Sequence, residues 1–164
     1  MERLGRGPRG PGRIYFTGGV SAVLLEWRDT TVDIDLKLDP EPSGIFDLLP
    51  TLKDELDINV ELAAPDQFIP ALPDWRERSQ FIATYGKIDF YHYDFYSQAL
   101  AKIERFHGRD ETDVQQMIAR GLVRCDQLLT LFWEIEPQLK RYPAIEPEAF
   151  RERVEQVTSE EGRR

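Results

Sequence analysis

A chain of 164 residues is long enough to bury a hydrophobic core without disulfide bonds or a structural metal. Its net charge of −9 argues against a general nucleic-acid-binding protein, since non-specific binding needs many Lys and Arg contacts to phosphate. The single cysteine, Cys125, excludes an internal disulfide. No stretch resembles a signal peptide or has the roughly 20 apolar residues of a membrane span, so we expect a cytoplasmic protein that makes no membrane contact.

In chain order, the predicted elements begin with residues 1–12, whose Gly, Pro and Arg content favours a flexible lead-in. Apolar runs and alternation predict strands at 14–16, 31–38, 58–62 and 88–93, and a short strand or turn at 79–85. Helical spacing predicts helices at 20–28, 43–56, 94–107, 110–120, 124–137 and 147–158. Pro50 lies inside the second of these helices and allows it to be two pieces.

This order of elements predicts the fold class. Strands are confined to the first part of the chain, and only helical patterns follow residue 94. We therefore expect an α+β fold, with a small mixed β-sheet core at 14–93 and a helical section at 94–158. No repeat or long linker divides the sequence, so we expect one domain over residues 1–164.

Two carboxylates, Asp33 and Asp35, lie two residues apart on the strand with the clearest alternation. Side chains at positions i and i+2 of a strand leave the same face. Mg²⁺ is usually held by one or two carboxylates together with substrate phosphates. Alternation of this kind is also typical of a strand with one solvent-exposed face, so both interpretations stay open. The two histidines, His92 and His107, lack metal-ligand spacing and are interpreted as surface or core residues.

Two glycines precede the aspartates, at the predicted turn from strand to helix. Glycine lets the backbone approach a ligand closely, and the start of the following helix offers N–H groups to phosphate. Ser21 adds a hydroxyl in the first turn of that helix. Gly18, Gly19 and Ser21 are therefore candidate phosphate-binding residues, and the alternative interpretation of the two glycines is a plain turn.

Gly18–Gly19, followed after thirteen residues by Asp33–Ile34–Asp35–Leu36, resembles the signature of polymerase-β-type nucleotidyltransferases. The resemblance implies a nucleoside triphosphate as substrate, with Mg²⁺ or Mn²⁺ held by the two aspartates and by a third carboxylate on a neighbouring strand. Glu61 matches the third position, and Asp89 is the alternative. Glu61 would complete the metal site or act as the base that takes the acceptor proton.

The resemblance extends into the helical section. The C-terminal motif of AbiEii-like abortive-infection nucleotidyltransferases is resembled by Lys102, Arg105, Arg109, Asp110 and Asp113. This implies that the lysine and the charged residues after it support nucleotide use and that Lys102 also neutralises phosphate charge during catalysis. A short, largely uncharacterised bacterial branch of the same family resembles the chain more closely, over roughly residues 13–123. The chain departs from the usual pattern of the family at its start, where a full helix before Arg13 is expected.

The same residues have other interpretations. Lys102 lies on an apolar helical stripe with Phe95 and Phe106, so its amine either extends to solvent or points into a cleft. Asp110 is a candidate N-cap of the next helix, and Asp113 lies in the favourable first turn of that helix.

Two functions from different classes follow. The first is metal-dependent transfer of a nucleoside monophosphate to a hydroxyl of RNA, such as a transfer RNA end, or of a protein. The resemblance suggests a toxin–antitoxin or phage-defence pair. The negative net charge weakens the RNA version, and a basic patch formed by Lys102, Arg105 and Arg109 partly restores it. The second function is a non-catalytic protein that keeps the fold and acts through a protein partner.

Overall fold

The computed structural model describes residues 1–161, and their side chains through Ser159. The chain forms two compact units, which are described separately. The first unit contains residues 1–64 and 79–93, and the second contains 65–78 and the chain from Asp94 onward. Strands lie in the first unit and only helices and turns in the described part of the second, so the predicted α+β fold is confirmed.

The first unit contains one mixed β-sheet. Its elements are α1 (Glu2–Arg6), β1 (Gly12–Thr17), α2 (Gly19–Leu24), β2 (Asp33–Leu38), α3 (Ile45–Leu56), β3 (Asn59–Glu61), β4 (Gln80–Tyr85) and β5 (Ile88–His92). The strands lie in the order β3-β2-β1-β5-β4. β1 is antiparallel to β2 and parallel to β5, while β3 is parallel to β2 and β4 is antiparallel to β5.

The two faces of this sheet differ in polarity. Ile14, Phe16, Leu36 and Phe90 are almost completely buried and form the core of the first unit with apolar residues of α3. The alternate residues of β2 point to the other face and include Asp33 and Asp35. The strict alternation in the sequence therefore reflects a strand with one buried face and one polar face.

Residues 2–6 form a helix, so the predicted flexible lead-in is wrong over this part. Leu4 of α1 joins the core. Gly5 packs so closely on β4 that an added Cβ would collide with the backbone of Tyr85. Arg3 forms an ion pair with Glu55 of α3. A helix this short is not stable by itself, so tertiary contacts rather than local composition decide its formation.

Three other elements differ from expectation or settle an alternative. α2 ends at Leu24 rather than Arg28, because Glu26 has a positive φ of 63° that a right-handed helix does not accommodate. α3 stays one helix through Pro50, which is exposed, so that water can replace the hydrogen bond that proline removes. Segment 79–85 is a strand, β4, rather than a turn.

The second unit is built from helices joined by short turns. It contains a 3₁₀ turn at Pro65–Gln67, α4 (Trp75–Arg78), α5 (Phe95–Arg105), α6 (Asp110–Ala119), α7 (Cys125–Ile135), a 3₁₀ helix at Glu136–Arg141 and α8 (Pro147–Glu161). Phe132 of α7 and Phe150 of α8 meet edge to face in its core. Asp94 caps α5 through the N–H groups of residues 96 and 97, and Arg78 donates to both of its carboxylate oxygens. None of the described helices is long and apolar enough to cross a membrane.

Candidate functional site

Three carboxylates lie on one face of two neighbouring strands in the first unit. Asp33 and Asp35 are on β2, and Asp35 pairs in register with Glu61 on β3. Paired residues of adjacent strands project from the same face of a sheet, so the three side chains share a face. Asp89 lies on β5, which β1 separates from β2. The strand register therefore favours Glu61 over Asp89 as the third carboxylate.

An amide side chain connects two of these carboxylates. Asn59, which pairs with Asp33 across β2 and β3, donates from Nδ2 to Glu61 Oε1 at 2.7 Å. The same nitrogen lies 3.4 Å from Asp33 Oδ1 and donates to it more weakly. Sequence reasoning missed Asn59, although its i, i+2 spacing from Glu61 on a predicted strand was a usable signal.

The Gly18–Gly19 turn brings the backbone close to Asp35. Gly18 has a φ of 60°, and a Cβ at this position would lie 3.2 Å from Asp35 Oδ2. A Cβ at Gly19 would come within 2.5 Å of Thr31 Oγ1. Gly18 therefore favours glycine for its backbone angle, and Gly19 favours glycine for space. α2 has only six residues, so the close approach of the turn matters more here than a helix dipole.

Ser21 is completely buried, with its Oγ 2.9 Å from His92 Nδ1. The hydroxyl carries one proton, so it donates either to His92 Nδ1 or, at 3.4 Å, to the carbonyl oxygen of Phe16 while accepting from the Nδ1–H of the other tautomer. Burial lowers the pKa of His92 to about 4, so its ring is neutral near pH 7. Sequence reasoning did not connect these side chains, which are 71 residues apart, and no local pattern links them.

In the second unit, the residues of the C-terminal motif contact each other. Lys102 Nζ on α5 lies 2.8 Å from Asp113 Oδ2 and 3.3 Å from Asp110 Oδ1. Arg105 donates to both carboxylate oxygens of Asp110, at 2.7 and 2.9 Å. The side chain of Lys102 is 11% exposed and that of Asp110 is 3% exposed. The amine of Lys102 therefore does not extend to solvent. It joins α5 to α6 through hydrogen bonds to two buried carboxylates.

The pKa of the Asp110 carboxyl group is lowered by its partners. Burial alone would raise its pKa, but the hydrogen bonds from Arg105 and from the His107 backbone N–H, with the charge of Lys102, lower the pKa to about 2. Asp110 is the first residue of α6 and Arg109 occupies the N-cap position, so the N-cap interpretation of Asp110 is wrong. Its carboxylate instead accepts from the His107 N–H at 2.9 Å.

This pairing also changes the predicted basic patch. Lys102 and Arg105 carry two positive charges, and Asp110 and Asp113 place two negative charges against them. Arg109 is the remaining exposed cation of the predicted patch. Two of the three charges that were expected to favour RNA are therefore balanced within the helical unit.

The oxygen donors on the sheet suit a hard divalent cation. Within residues 1–161, no three His, Cys, Asp or Glu side chains are already gathered into a metal-binding group. Mg²⁺, however, needs only one or two carboxylates when substrate phosphates complete its shell. Asp33 and Asp35 supply such a pair, and no Cβ at Gly18 crowds Asp35 Oδ2. The donor set therefore fits Mg²⁺ or Mn²⁺ bound together with a phosphate ligand.

Comparison with known proteins gives one family match. Residues 14–161 match a family described as "Nucleotidyltransferase of unknown function (DUF6036)". No curated protein and no solved structure matches the chain. The match covers both the sheet carboxylates and the helical charge cluster. It agrees with the resemblance to nucleotidyltransferases, and the AbiEii-like resemblance stays a prediction.

Proposed function

Because the chain belongs to this family of nucleotidyltransferases of unknown function, we propose that it transfers a nucleoside monophosphate from a nucleoside triphosphate to a hydroxyl group. The observation that carries the proposal is the common face of Asp33, Asp35 and Glu61, with the Gly18 backbone beside Asp35. Mg²⁺ is usually held by one or two carboxylates together with substrate phosphates. Carboxylates on one face of two neighbouring strands would offer such ligands to a phosphate-bound divalent cation.

Each residue of the sheet site has a proposed role. Asp33 and Asp35 would hold Mg²⁺ or Mn²⁺, and Glu61 would complete the metal site or accept the proton of the acceptor hydroxyl. The metal, when bound, supplies positive charge to the phosphate oxygens and the leaving pyrophosphate. Gly18 and Gly19 would place backbone N–H groups against the phosphates, where a side chain would obstruct them.

The helical charge cluster receives a different role. A triphosphate that recruited Lys102 would have to compete with two buried carboxylates that already accept its hydrogen bonds. We therefore propose that Lys102, Arg105, Asp110 and Asp113 serve nucleotide use indirectly, by holding α5 and α6 together. Direct phosphate contact is assigned to the first unit.

The charge distribution favours a protein hydroxyl as acceptor. The chain carries a net charge of −9, and much of its expected basic patch is internally balanced. RNA binding depends on Lys and Arg contacts to phosphate, and here 21 Lys and Arg residues are outnumbered by 30 Asp and Glu residues. A Ser, Thr or Tyr hydroxyl of a partner protein needs no such contacts. The resemblance suggests a cognate toxin or antitoxin as that partner.

The decisive experiment measures transfer directly. The purified chain is incubated in turn with each α-³²P-labelled ribonucleoside triphosphate and Mg²⁺, with lysate protein or with transfer RNA as acceptor. We expect label on protein that chelation of Mg²⁺ abolishes. Asp33→Asn should remove the label, whereas Asp54→Asn, the same change at an exposed position on α3, should not. Label on transfer RNA alone would correct the acceptor, and no transfer or triphosphate binding would favour the non-catalytic function.

A further inference from the structure

A buried hydroxyl–imidazole pair follows the Gly18–Gly19 turn in the first unit. Ser21 lies in the first turn of α2, and His92 is the last residue of β5. They are 0% and 6% exposed, and their Oγ and Nδ1 atoms are 2.9 Å apart. The N–H of Tyr93, the next residue, donates to the carbonyl of Phe16 at 2.8 Å. The pair therefore links α2 to β5 close to the end of β1, where a backbone hydrogen bond already joins β1 to the residue after β5.

A serine beside a histidine also occurs in nucleophilic catalysis, where the imidazole activates the hydroxyl. That role is excluded here because a nucleophile must reach its substrate and Ser21 is completely buried. A purely packing role explains the pair poorly, since two apolar side chains of similar shape would fill the space at similar or lower free energy. The role of the pair therefore depends on the hydrogen bond between the two side chains more than on the volume that they fill.

The neighbouring turn needs such a restraint. Gly18 and Gly19 have wide backbone freedom, and fixing them costs more conformational entropy than fixing other residues. α2 is short and has no side-chain N-cap bond, and Ser21 supplies its only polar side chain. The hydrogen bond between Ser21 and His92 ties this first turn to β5, while Gly18 faces Asp35 on the opposite side of β1.

We propose that Ser21 and His92 form a positioning pair that holds the Gly18–Gly19 turn at the separation from Asp35 that triphosphate binding requires. The inference rests on the proposed function, and it gives Ser21 an indirect role instead of direct phosphate contact. Removing either partner loosens the turn without removing a metal ligand. Binding of the Mg–triphosphate complex therefore weakens while the fold persists.

Three variants test the pair. Ser21→Ala and His92→Leu remove the bond, whereas His92→Asn places an amide close to the position of Nδ1 and can restore it. A net hydrogen bond is worth about 1 kcal/mol, so the first two variants should raise the Kd of the Mg–triphosphate about fivefold, with kcat changed less than KM. His92→Asn should stay within about twofold of wild type. His107→Asn, at an exposed histidine, is the matched control.

A second measurement separates this inference from the proposed function. Amide hydrogen exchange at Gly18 and Gly19 should be faster than in wild type in Ser21→Ala and His92→Leu and should keep the wild-type rate in His92→Asn. Unchanged exchange in both bond-removing variants overturns the positioning role, and so does equal weakening of triphosphate binding by His92→Asn and His92→Leu. If the wild-type chain binds no triphosphate, accelerated exchange still supports the pair and only the function fails. If His92→Leu does not fold, Ser21→Ala and His92→Asn carry the test.

Discussion

Acidic side chains have opposite environments in the two units. On the sheet, Asp33 and Glu61 are exposed, Asp35 is half-buried, and a neutral amide bridges two of the three. In the helical unit, Asp110 and Asp113 are almost fully buried and accept hydrogen bonds from Lys102. Burying a carboxylate without a cation is costly, so the helical pair is satisfied within the fold. Exposed carboxylates on one face of a sheet are suited to an external cation.

The largest effect should come from removing charge on the sheet. Asp33→Asn with Asp35→Asn should reduce nucleotide transfer by roughly three powers of ten, about 4 kcal/mol, because the metal loses both ligands of β2. The free energy of unfolding should stay equal or rise, since repulsion is relieved. Calorimetric titration with Mg²⁺ and triphosphate, beside urea denaturation, checks both expectations. A double variant that binds as tightly as wild type contradicts the assignment of these ligands.

Removing charge from the helical cluster should instead lower the free energy of unfolding. Lys102→Met deletes the 2.8 Å bond to the buried Asp113, so the free energy of unfolding should fall by about 3 kcal/mol. Arg105→Met is the matched control. Because that side chain is 55% exposed, its loss should cost about 1 kcal/mol. Urea denaturation measures both. If Lys102→Met keeps its stability but loses transfer, the lysine contacts phosphate directly.

The two units should also respond to acid over different ranges. The pKa of His92 is 6.5 in the unfolded chain and about 4 when folded, so between these values the unfolded state binds more protons. The stability that His92 contributes is complete above pH 6.5 and declines as the pH falls to 4, by at most about 3 kcal/mol. His92→Leu should flatten the pH dependence of stability in this range.

For Asp110, the pKa is 3.8 in the unfolded chain and about 2 in the folded state. The stability that Asp110 contributes is therefore complete above pH 3.8 and is lost as the pH falls to 2. It amounts to at most about 2 kcal/mol. Asp110→Asn should flatten only this lower range. Urea denaturation of both variants at a series of pH values provides the measurement. If His92→Leu and wild type have parallel curves between pH 6.5 and 4, the imidazole is not held neutral.

The smallest effect should come from Asn59, which touches two proposed ligands without carrying charge. Asn59→Ala removes the bonds to Glu61 Oε1 and Asp33 Oδ1 and leaves both carboxylates less well oriented. Supporting residues of this kind typically change metal affinity by about tenfold. Mn²⁺ binding in the presence of triphosphate, followed by electron paramagnetic resonance, should show this loss. Unchanged Mn²⁺ affinity means that Asn59 does not orient the ligands.

Local patterns predicted the parts of the fold that local physics controls. The alternation from 31 to 38 predicted β2 and placed Asp33 and Asp35 on one face, because side-chain direction along a strand depends only on its own backbone. The four long helices of the second unit, α5 to α8, were also predicted within a few residues, since their apolar spacing repeats over several turns. The proposed role of the two aspartates nevertheless remains a prediction.

What the sequence determined by itself was therefore the α+β class, the aspartate pair and the glycine turn before it. Only the tertiary structure decided whether Glu61 or Asp89 adjoins the pair, because strand order depends on pairing between distant segments. The same holds for the helix at residues 2–6, which needs its contacts to the core. It also holds for the partners of Lys102 and Ser21. A side chain's charge and hydrogen-bonding capacity are set by its residue type, but its partner is set by packing.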